Sequence, residues 1–409
     1  MKALRILLIV GLMGAVAIPA FAQDTGGVTT PTAGYDGGFF IQNPDGDARF
    51  KFNGRIQPEY FYQQGGYQTS GVPMDAINSF RLRRALLNFS GNVTKDWSFS
   101  TFILNQTANS STTPSNLSWG ASVTYNPIPL FNLEMGTLSV PFDRFGDVSS
   151  KNYMFTEASI IVTEDFGIND LSPSRPAFGM ANSVGLTIGG NWKDRLVYAV
   201  GVTNGGNPNG NASYVLNYNK RMTVGARLQW NILKDPGSSE MDLAWSETPA
   251  LAIGAGGAYE DQGVVDAYVA SLFQRYNIQG TGDITFKYKG LSVIAAWYGR
   301  IQYDYQTGTN IGLNYQDAGY YALVGYFVIP RKLEIGARSS QMFREGPNNN
   351  QNAYEGTINW YIIGNTLKWQ TTGGMYLNYD VNVGTGAVGL YNTDVHRRYR
   401  IWSMLTLNI

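Results

Sequence analysis

The sequence contains no cysteine and a single histidine, His396, in 409 residues. Disulfide bonds, thiolate zinc sites and a Cys–His nucleophile are therefore excluded, and one imidazole is too few for the usual catalytic or structural zinc centre. His396 lies in "DVHRRYR" before the last strand-like segment, and we interpret it as a rim or lumen residue. We expect no metal, no cofactor and no enzymatic activity.

Long apolar runs are absent after the first 22 residues. "MKALRILLIVGLMGAVAIPAFA" has Lys2 and Arg5 near its start, an apolar middle and a final Ala-Phe-Ala, which is typical of a secretory signal peptide cleaved before Gln23. No later segment approaches the roughly 20 apolar residues of a transmembrane helix. We therefore expect residues 1–22 to be a signal peptide and residues 23–47 to be a flexible periplasmic lead.

An excess of charge of either sign is also missing, because Lys+Arg and Asp+Glu both number 30. This balance argues against a protein that holds nucleic acid by bulk charge. Glycine and tyrosine are abundant instead, at 48 and 26 residues, and no long helical pattern occurs. The composition favours an all-β protein.

Segments in which apolar and polar residues alternate with period two recur between residue 48 and the C-terminus, separated by turns and polar loops. In "TVGARLQWNI", Val224, Leu228 and Trp230 share one face, while Arg227 and Gln229 share the other. About 16 such segments recur at the roughly 10-residue length of membrane-spanning β-strands. A soluble sandwich or propeller would also alternate, but basic residues near strand middles and Trp or Tyr near strand ends favour a transmembrane antiparallel β-barrel over residues 48–409.

The segment "SFRLRRALLNF" (79–89) conflicts with this alternation at one point. Counted from the apolar residues after it, Arg84 faces the lumen and Arg83 faces lipid, which costs about 2–4 kcal/mol at mid-membrane. Either Arg83 lies near the rim and snorkels to water, or a β-bulge between the two arginines turns both side chains inward. We favour the bulge.

Several segments resemble the phosphate-selective porin O and P family. They are "NGRIQPEY" (53–60), "FRLRRALLNFSGNVTKDWSFS" (80–100), "ASVTYNP" (121–127) and "SVPFDRFGDVSSKNY" (139–153). The resemblance implies a 16-stranded homotrimeric barrel in the outer membrane of a Gram-negative bacterium. It also implies a third external loop folded into each pore, here about residues 140–180, and lumen cations that conduct phosphate and related anions.

The family's functional cations fall on identifiable positions of this sequence. Its first-strand lumen arginine falls on Arg55, its arginine pair on Arg83 and Arg84, and a constriction-loop lysine on Lys151. A second constriction lysine falls on Asp147, which weakens the case for a phosphate-specific site. The expected constriction loop contains six acidic and three basic residues: Asp143, Asp147, Glu157, Glu164, Asp165 and Asp170, with Arg144, Lys151 and Arg175.

Alternation alone places further charges on the lumen face. Eight are basic and four acidic, which predicts a mildly anion-preferring lumen, although these charges could instead pair with one another along the wall. The basic residues are Lys51, Arg55, Arg227, Lys287, Lys289, Arg300, Arg338 and Lys368; the acidic ones are Glu59, Asp283, Glu334 and Asp380.

These observations predict an outer-membrane porin for passive diffusion of small solutes, with a mild preference for anions and little for phosphate. The expected partners are small anions or other small solutes, outer-membrane lipid and two further copies of the chain, and no nucleic acid. The alternatives are a barrel with a mainly structural or adhesive role through its external loops, and a barrel enzyme. Single-channel conductance separates the porin from both.

Overall fold

The computed structural model describes residues 32–64, 66–67, 73–74, 76–106, 116–162, 178, 182–204, 222–266, 272–306, 312–344, 350–377 and 397–409. Across these residues the chain forms a closed antiparallel β-barrel of 16 strands, which confirms the predicted fold class. The expected signal peptide and His396 lie outside the described residues.

The 16 barrel strands follow one another around the barrel in chain order. Their bounds are β1 Arg49–Gln63, β2 Ile77–Asn92, β3 Trp97–Gln106, β4 Asn116–Ile128, β5 Phe131–Leu138, β6 Ser183–Trp192, β7 Leu196–Asn204, β8 Met222–Asn231, β9 Ala250–Asp266, β10 Leu272–Tyr288, β11 Leu291–Gln306, β12 Gly312–Ile329, β13 Leu333–Arg344, β14 Gln351–Asn365, β15 Leu367–Leu377 and β16 Arg397–Asn408.

The barrel closes where the last strand pairs with the first. Arg400 lies opposite Gln63, and Leu407 lies opposite Ile56. Closure gives each strand a partner on both sides, as a sheet in lipid requires because no water is available to satisfy free backbone groups. Among the described residues, no helix is long and apolar enough to cross a membrane.

The two faces of the wall differ as the alternation predicts. On β8 the outward Val224, Leu228 and Trp230 are 44%, 55% and 45% exposed, whereas the inward Thr223 and Arg227 are 3% and 7% exposed. An apolar outer surface and a polar inner surface are the pattern of a membrane barrel. The functional part of the molecule is therefore the lumen.

Connections at the periplasmic end are short, with one exception. The tight turns include residues 93–96, 129–130 and 289–290, and Lys289 adopts the positive φ of 44° that such turns favour. The exception is the segment 232–249 between β8 and β9, which we call the periplasmic loop.

Part of the expected flexible lead is ordered strand. Ala33–Tyr35 pairs with Phe39–Gln42, and this second strand pairs with the start of β1, with Phe39 opposite Phe52 and Gln42 opposite Arg49. β1 extends beyond the end of β16, so the edge that β16 leaves unpaired is available to the hairpin. The expectation of an unstructured lead is wrong for these residues.

Candidate functional site

The described part of the constriction loop, residues 140–162 with Phe178, lies inside the barrel. It leaves β5 and crosses β8 and β9 at two glycines. A Cβ at Gly225 would collide with Val140, and a Cβ at Gly256 would collide with the Phe142 carbonyl. Glycine at both positions lets the loop backbone lie directly against the wall.

Apolar side chains hold the loop against half of the lumen wall. Met154, Phe155 and Ile161 are fully buried and belong to a cluster that includes Tyr298 of β11 and Tyr321 of β12. Further wall members lie on β13 to β16: Met342, Ala353, Tyr376 and Trp402. This sector of the lumen is therefore a packed core rather than a water-filled passage.

Wall side chains also bind the loop carbonyls. Lys368 Nζ donates to the carbonyl oxygens of Lys151 and Tyr153 at 2.7 and 3.2 Å. The Arg338 guanidinium donates to those of Glu157 and Ala158 at 3.0 and 3.2 Å. The described part of the loop has no β-ladder of its own, so these long polar side chains satisfy part of its backbone.

β2, the strand that contains Arg83 and Arg84, has the predicted β-bulge. Gln57 of β1 lies opposite Arg84, whereas Pro58 lies opposite Leu82, so Arg83 is the additional residue of β2. Pro58 has no N–H to contribute to the ladder at the point where the register shifts. Both arginines are buried inside the barrel, at 0% and 7% exposure, and the bulge is confirmed.

Both arginines bind one loop carboxylate. Arg83 Nε lies 2.5 Å from Glu157 Oε1, and Arg84 Nη2 lies 2.9 Å from Glu157 Oε2. Burial disfavours the charged carboxylate, but the two guanidiniums outweigh it and lower the pKa of Glu157 to about 2. The pair predicted to bind anions thus holds the constriction loop.

The wall arginines face inward as predicted, but each carries its own counter-charge. Arg227, Arg300 and Arg338 lie 2.6, 2.7 and 2.6 Å from carboxylates of the neighbouring wall. Their partners are Asp283, Asp317 and Glu355. Three of the eight basic residues counted from the sequence are therefore neutralised where they were expected to act.

Arg144 is likewise engaged with backbone. Its Nη2 donates to the carbonyls of Gly237, Ser238 and Ser239 at 3.2, 3.0 and 2.9 Å. Asp147 ends a short 3₁₀ turn that begins at Phe145, and its side chain lies outside what the structure describes. Its predicted effect on phosphate remains a prediction.

Arg55 and Lys151 form the remaining basic group of the predicted site. Arg55 donates to the hydroxyls of Ser149 and Ser150 at 2.9 and 2.5 Å. Lys151 is exposed, and within the described part of the chain its ammonium has no hydrogen-bonded or ion-paired partner. Partial burial and the nearby cations Arg55 and Lys51 lower the pKa of Lys151, so the three positive charges are close enough to interact.

On β2 to β5, unlike the packed sector, many inward side chains are short, polar and half-buried. No sequence pattern marked these residues, because neutral Ser and Thr carry little information about function. They include Asn88, Ser90, Ser100, Ser122, Thr124 and Glu134. Among the described residues no cluster of potential metal ligands occurs. This sector offers hydroxyls and one carboxylate to a passing solute.

Comparisons with known proteins agree with this geometry. The model of the family "Phosphate-selective porin O and P" matches residues 50–372. Porin O of Pseudomonas aeruginosa is 32% identical over 144 residues, which cover 34% of this chain and 32% of that protein. The match thus spans about a third of the length of this relative.

Solved structures share the fold at low sequence identity. The anion-selective porin from Comamonas acidovorans has 10% identity and a TM-score of 0.55, covering 89% of this chain and 100% of that one. The outer membrane channel DcaP of Acinetobacter baumannii has 12% identity and a TM-score of 0.54, covering 89% and 98%. At such identities the likeness concerns the fold alone.

Proposed function

The chain belongs to the phosphate-selective porin O and P family, and from this we propose that it forms a water-filled channel for passive diffusion of small solutes. Its closed barrel lies in the outer membrane of a Gram-negative bacterium. Family and fold point to a channel rather than an enzyme. On the family resemblance we also propose a homotrimer, which chemical cross-linking in mild detergent would test.

We propose that the channel prefers anions mildly, and the observation that carries this is the exposed ammonium of Lys151. Five arginines of the predicted site are paired with the carboxylates of Glu157, Asp283, Asp317 and Glu355, whereas Lys151 has no counter-ion among the described residues. Low-dielectric walls strengthen a fixed charge in a narrow passage, so one lysine flanked by Arg55 can bias chloride over potassium.

We propose that the channel has no strong selectivity for phosphate. Retaining a divalent anion calls for several converging cations whose charge is free. The half-buried wall offers mainly Ser and Thr hydroxyls and the carboxylate of Glu134. We therefore expect chloride and other small anions to pass with little discrimination by phosphate.

The test is the reversal potential of single channels in a KCl gradient. Lys151→Ala should shift it toward cation selectivity, because the free charge is removed. Lys193→Ala is the matched control, since Lys193 is exposed in a periplasmic turn outside the lumen. An unchanged potential in Lys151→Ala would refute the assignment, and chloride current that millimolar phosphate blocks would refute the weak discrimination.

A further inference from the structure

The periplasmic loop, residues 232–249, enters the barrel instead of turning at its rim. It starts as a short extension of the wall, with Leu233 N donating to Leu251 O at 3.1 Å. Farther along, Glu240, Met241 and Asp242 are each only 2% exposed. A connection at the end of a barrel can become so buried only by folding into the lumen.

Contacts with the wall fix the path of this loop. Met241 packs with Phe327 and Tyr361, which lie on β12 and β14. Lys287 Nζ of β10 donates to the carbonyls of Pro236 and Ser239 at 2.8 and 2.7 Å. The loop is thus anchored to three wall strands, as a rigid element would be.

The buried part of the periplasmic loop meets the constriction loop. Glu240 Oε2 accepts a hydrogen bond from Met154 N at 2.7 Å, and Glu240 N donates to Asn152 O at 3.0 Å. At the other end of the same segment, Arg144 donates to three consecutive carbonyls of the periplasmic loop, Gly237 to Ser239. These contacts bracket residues 145–151, which include the exposed Lys151.

We propose that the periplasmic loop is a second constriction element, and that Glu240 is the positioning residue that fixes the segment carrying Lys151. This inference rests on the proposed channel function. Glu240 contacts the backbone on both sides of Tyr153, at Asn152 and at Met154, and Asn152 is adjacent to Lys151. Lys368 holds the Lys151 carbonyl from the wall, so the lysine is fixed from two directions.

Single-channel recordings of Glu240→Ala and Glu240→Gln distinguish the positioning of the Lys151 segment by Glu240 from the effect of the negative charge of Glu240. Loss of a lumen carboxylate by itself would make the channel more anion-selective, whereas release of Lys151 would make it less so. We expect Glu240→Ala to raise conductance and open-channel noise and to shift the reversal potential toward cations. Glu240→Gln keeps an acceptor for Met154 N, so its conductance and noise should match the parent.

Glu247→Ala is the control, because it removes an equal charge from an exposed position of the same loop. Heat-dependent mobility in SDS gels should be the same for every variant if the barrel is intact. If Glu240→Ala matches Glu247→Ala in conductance, noise and reversal potential, the positioning role is wrong. A parent protein that forms no channels would instead refute the proposed function itself.

Arg144→Lys tests the same clamp from its other end should Glu240→Ala fail to insert. It keeps the positive charge but loses the planar guanidinium that reaches three carbonyls. We expect higher open-channel noise with the barrel intact. Quiet channels of parental conductance would overturn the proposal.

Discussion

Many charged side chains in the lumen join one strand to another, or the wall to a loop, through ion pairs and hydrogen bonds. Arg300 and Asp317 lie directly opposite each other on β11 and β12, and both side chains are 0% exposed. Two buried charges of opposite sign largely cancel at the distance of a passing ion. Removing one partner, in contrast, leaves an uncompensated buried charge at a cost of about 3–5 kcal/mol.

The Arg300–Asp317 pair should therefore contribute little to selectivity as a unit. The double variant Arg300→Gln with Asp317→Asn should keep the parental reversal potential in a KCl gradient. Arg300→Gln alone should shift it toward cations, because Asp317 loses its counter-charge. If the reversal potential of the double variant shifts as far as that of Lys151→Ala, arginines that are paired with carboxylates still determine the ion selectivity of the pore.

The sequence indicated which residues face inward but not which acid each arginine meets. Inward orientation follows from alternation along one strand, whereas pairing depends on the register between strands that can be far apart in sequence. Arg227 shows the difficulty. It reaches Asp283 two strands away, across Gly254, whose hypothetical Cβ would touch both side chains. No spacing within either strand predicts that contact.

Among the elements, the bulge of β2 could be predicted and its purpose could not. The phase conflict at Arg83 is local, so a shift of one residue was visible in the sequence. The partner Glu157 lies 74 residues later, in a loop without periodicity. Only the folded barrel brings this carboxylate beside both guanidiniums.

The pKa of Glu157 predicts how the constriction loop responds to acid. A carboxylate whose pKa falls on folding stabilises the folded arrangement above its ordinary pKa, and the stabilisation is lost as pH falls through the folded value. For Glu157 that value is about 2. The anchoring of the loop by Glu157 should therefore persist from neutral pH to about pH 4, and channel noise caused by its release should appear only near pH 2.

Glu157→Gln is the comparison for this acid response. It should be noisy at every pH, because the amide cannot bind two guanidiniums as the carboxylate does. Planar-bilayer recordings across the pH range provide the measurement. A transition near the ordinary pKa of glutamate that is present in the parent and absent from Glu157→Gln would mean that the arginines do not hold this carboxylate.

The periplasmic loop was missed although one feature of it could have been noticed. "DPGSSEMDLAWSETP" (235–249) lacks alternation, and counting strands places it at the end of the barrel where connections are short. Its excess length was therefore visible. Its inward path was not, since that depends on Lys287, Phe327 and Tyr361 from three other strands.

Across the whole molecule, the lumen has a packed sector and an open one. Each backbone N–H and C=O group in lipid needs a hydrogen-bond partner, so a membrane-spanning sheet must close into a barrel. Closure could therefore be predicted from the strand pattern of the sequence. The division of the lumen could not. It arises where the constriction loop packs against β11 to β16, while many inward side chains of β2 to β5 are short, polar and only half-buried.

Two serines, one on each sector, allow a test of this division. The sequence has no cysteine, so a cysteine introduced at either position is the only thiol that a reagent can modify. Ser122 of β4 is half-buried on the open sector. Ser340 of β13 is 0% exposed, with its hydroxyl 2.8 Å from that of Ser159 in the constriction loop. Serine to cysteine is nearly isosteric, so neither change should disturb the barrel.

A charged, water-soluble thiol reagent should modify Ser122→Cys quickly and lower the single-channel current, because the adduct narrows the route of the ions. Ser340→Cys should react slowly, since the constriction loop covers it. Adding Glu157→Gln to Ser340→Cys should accelerate its modification by loosening that cover. Equal rates at the two positions would mean that water fills both sectors, and that the packed half of the lumen does not confine the solutes to β2 through β5.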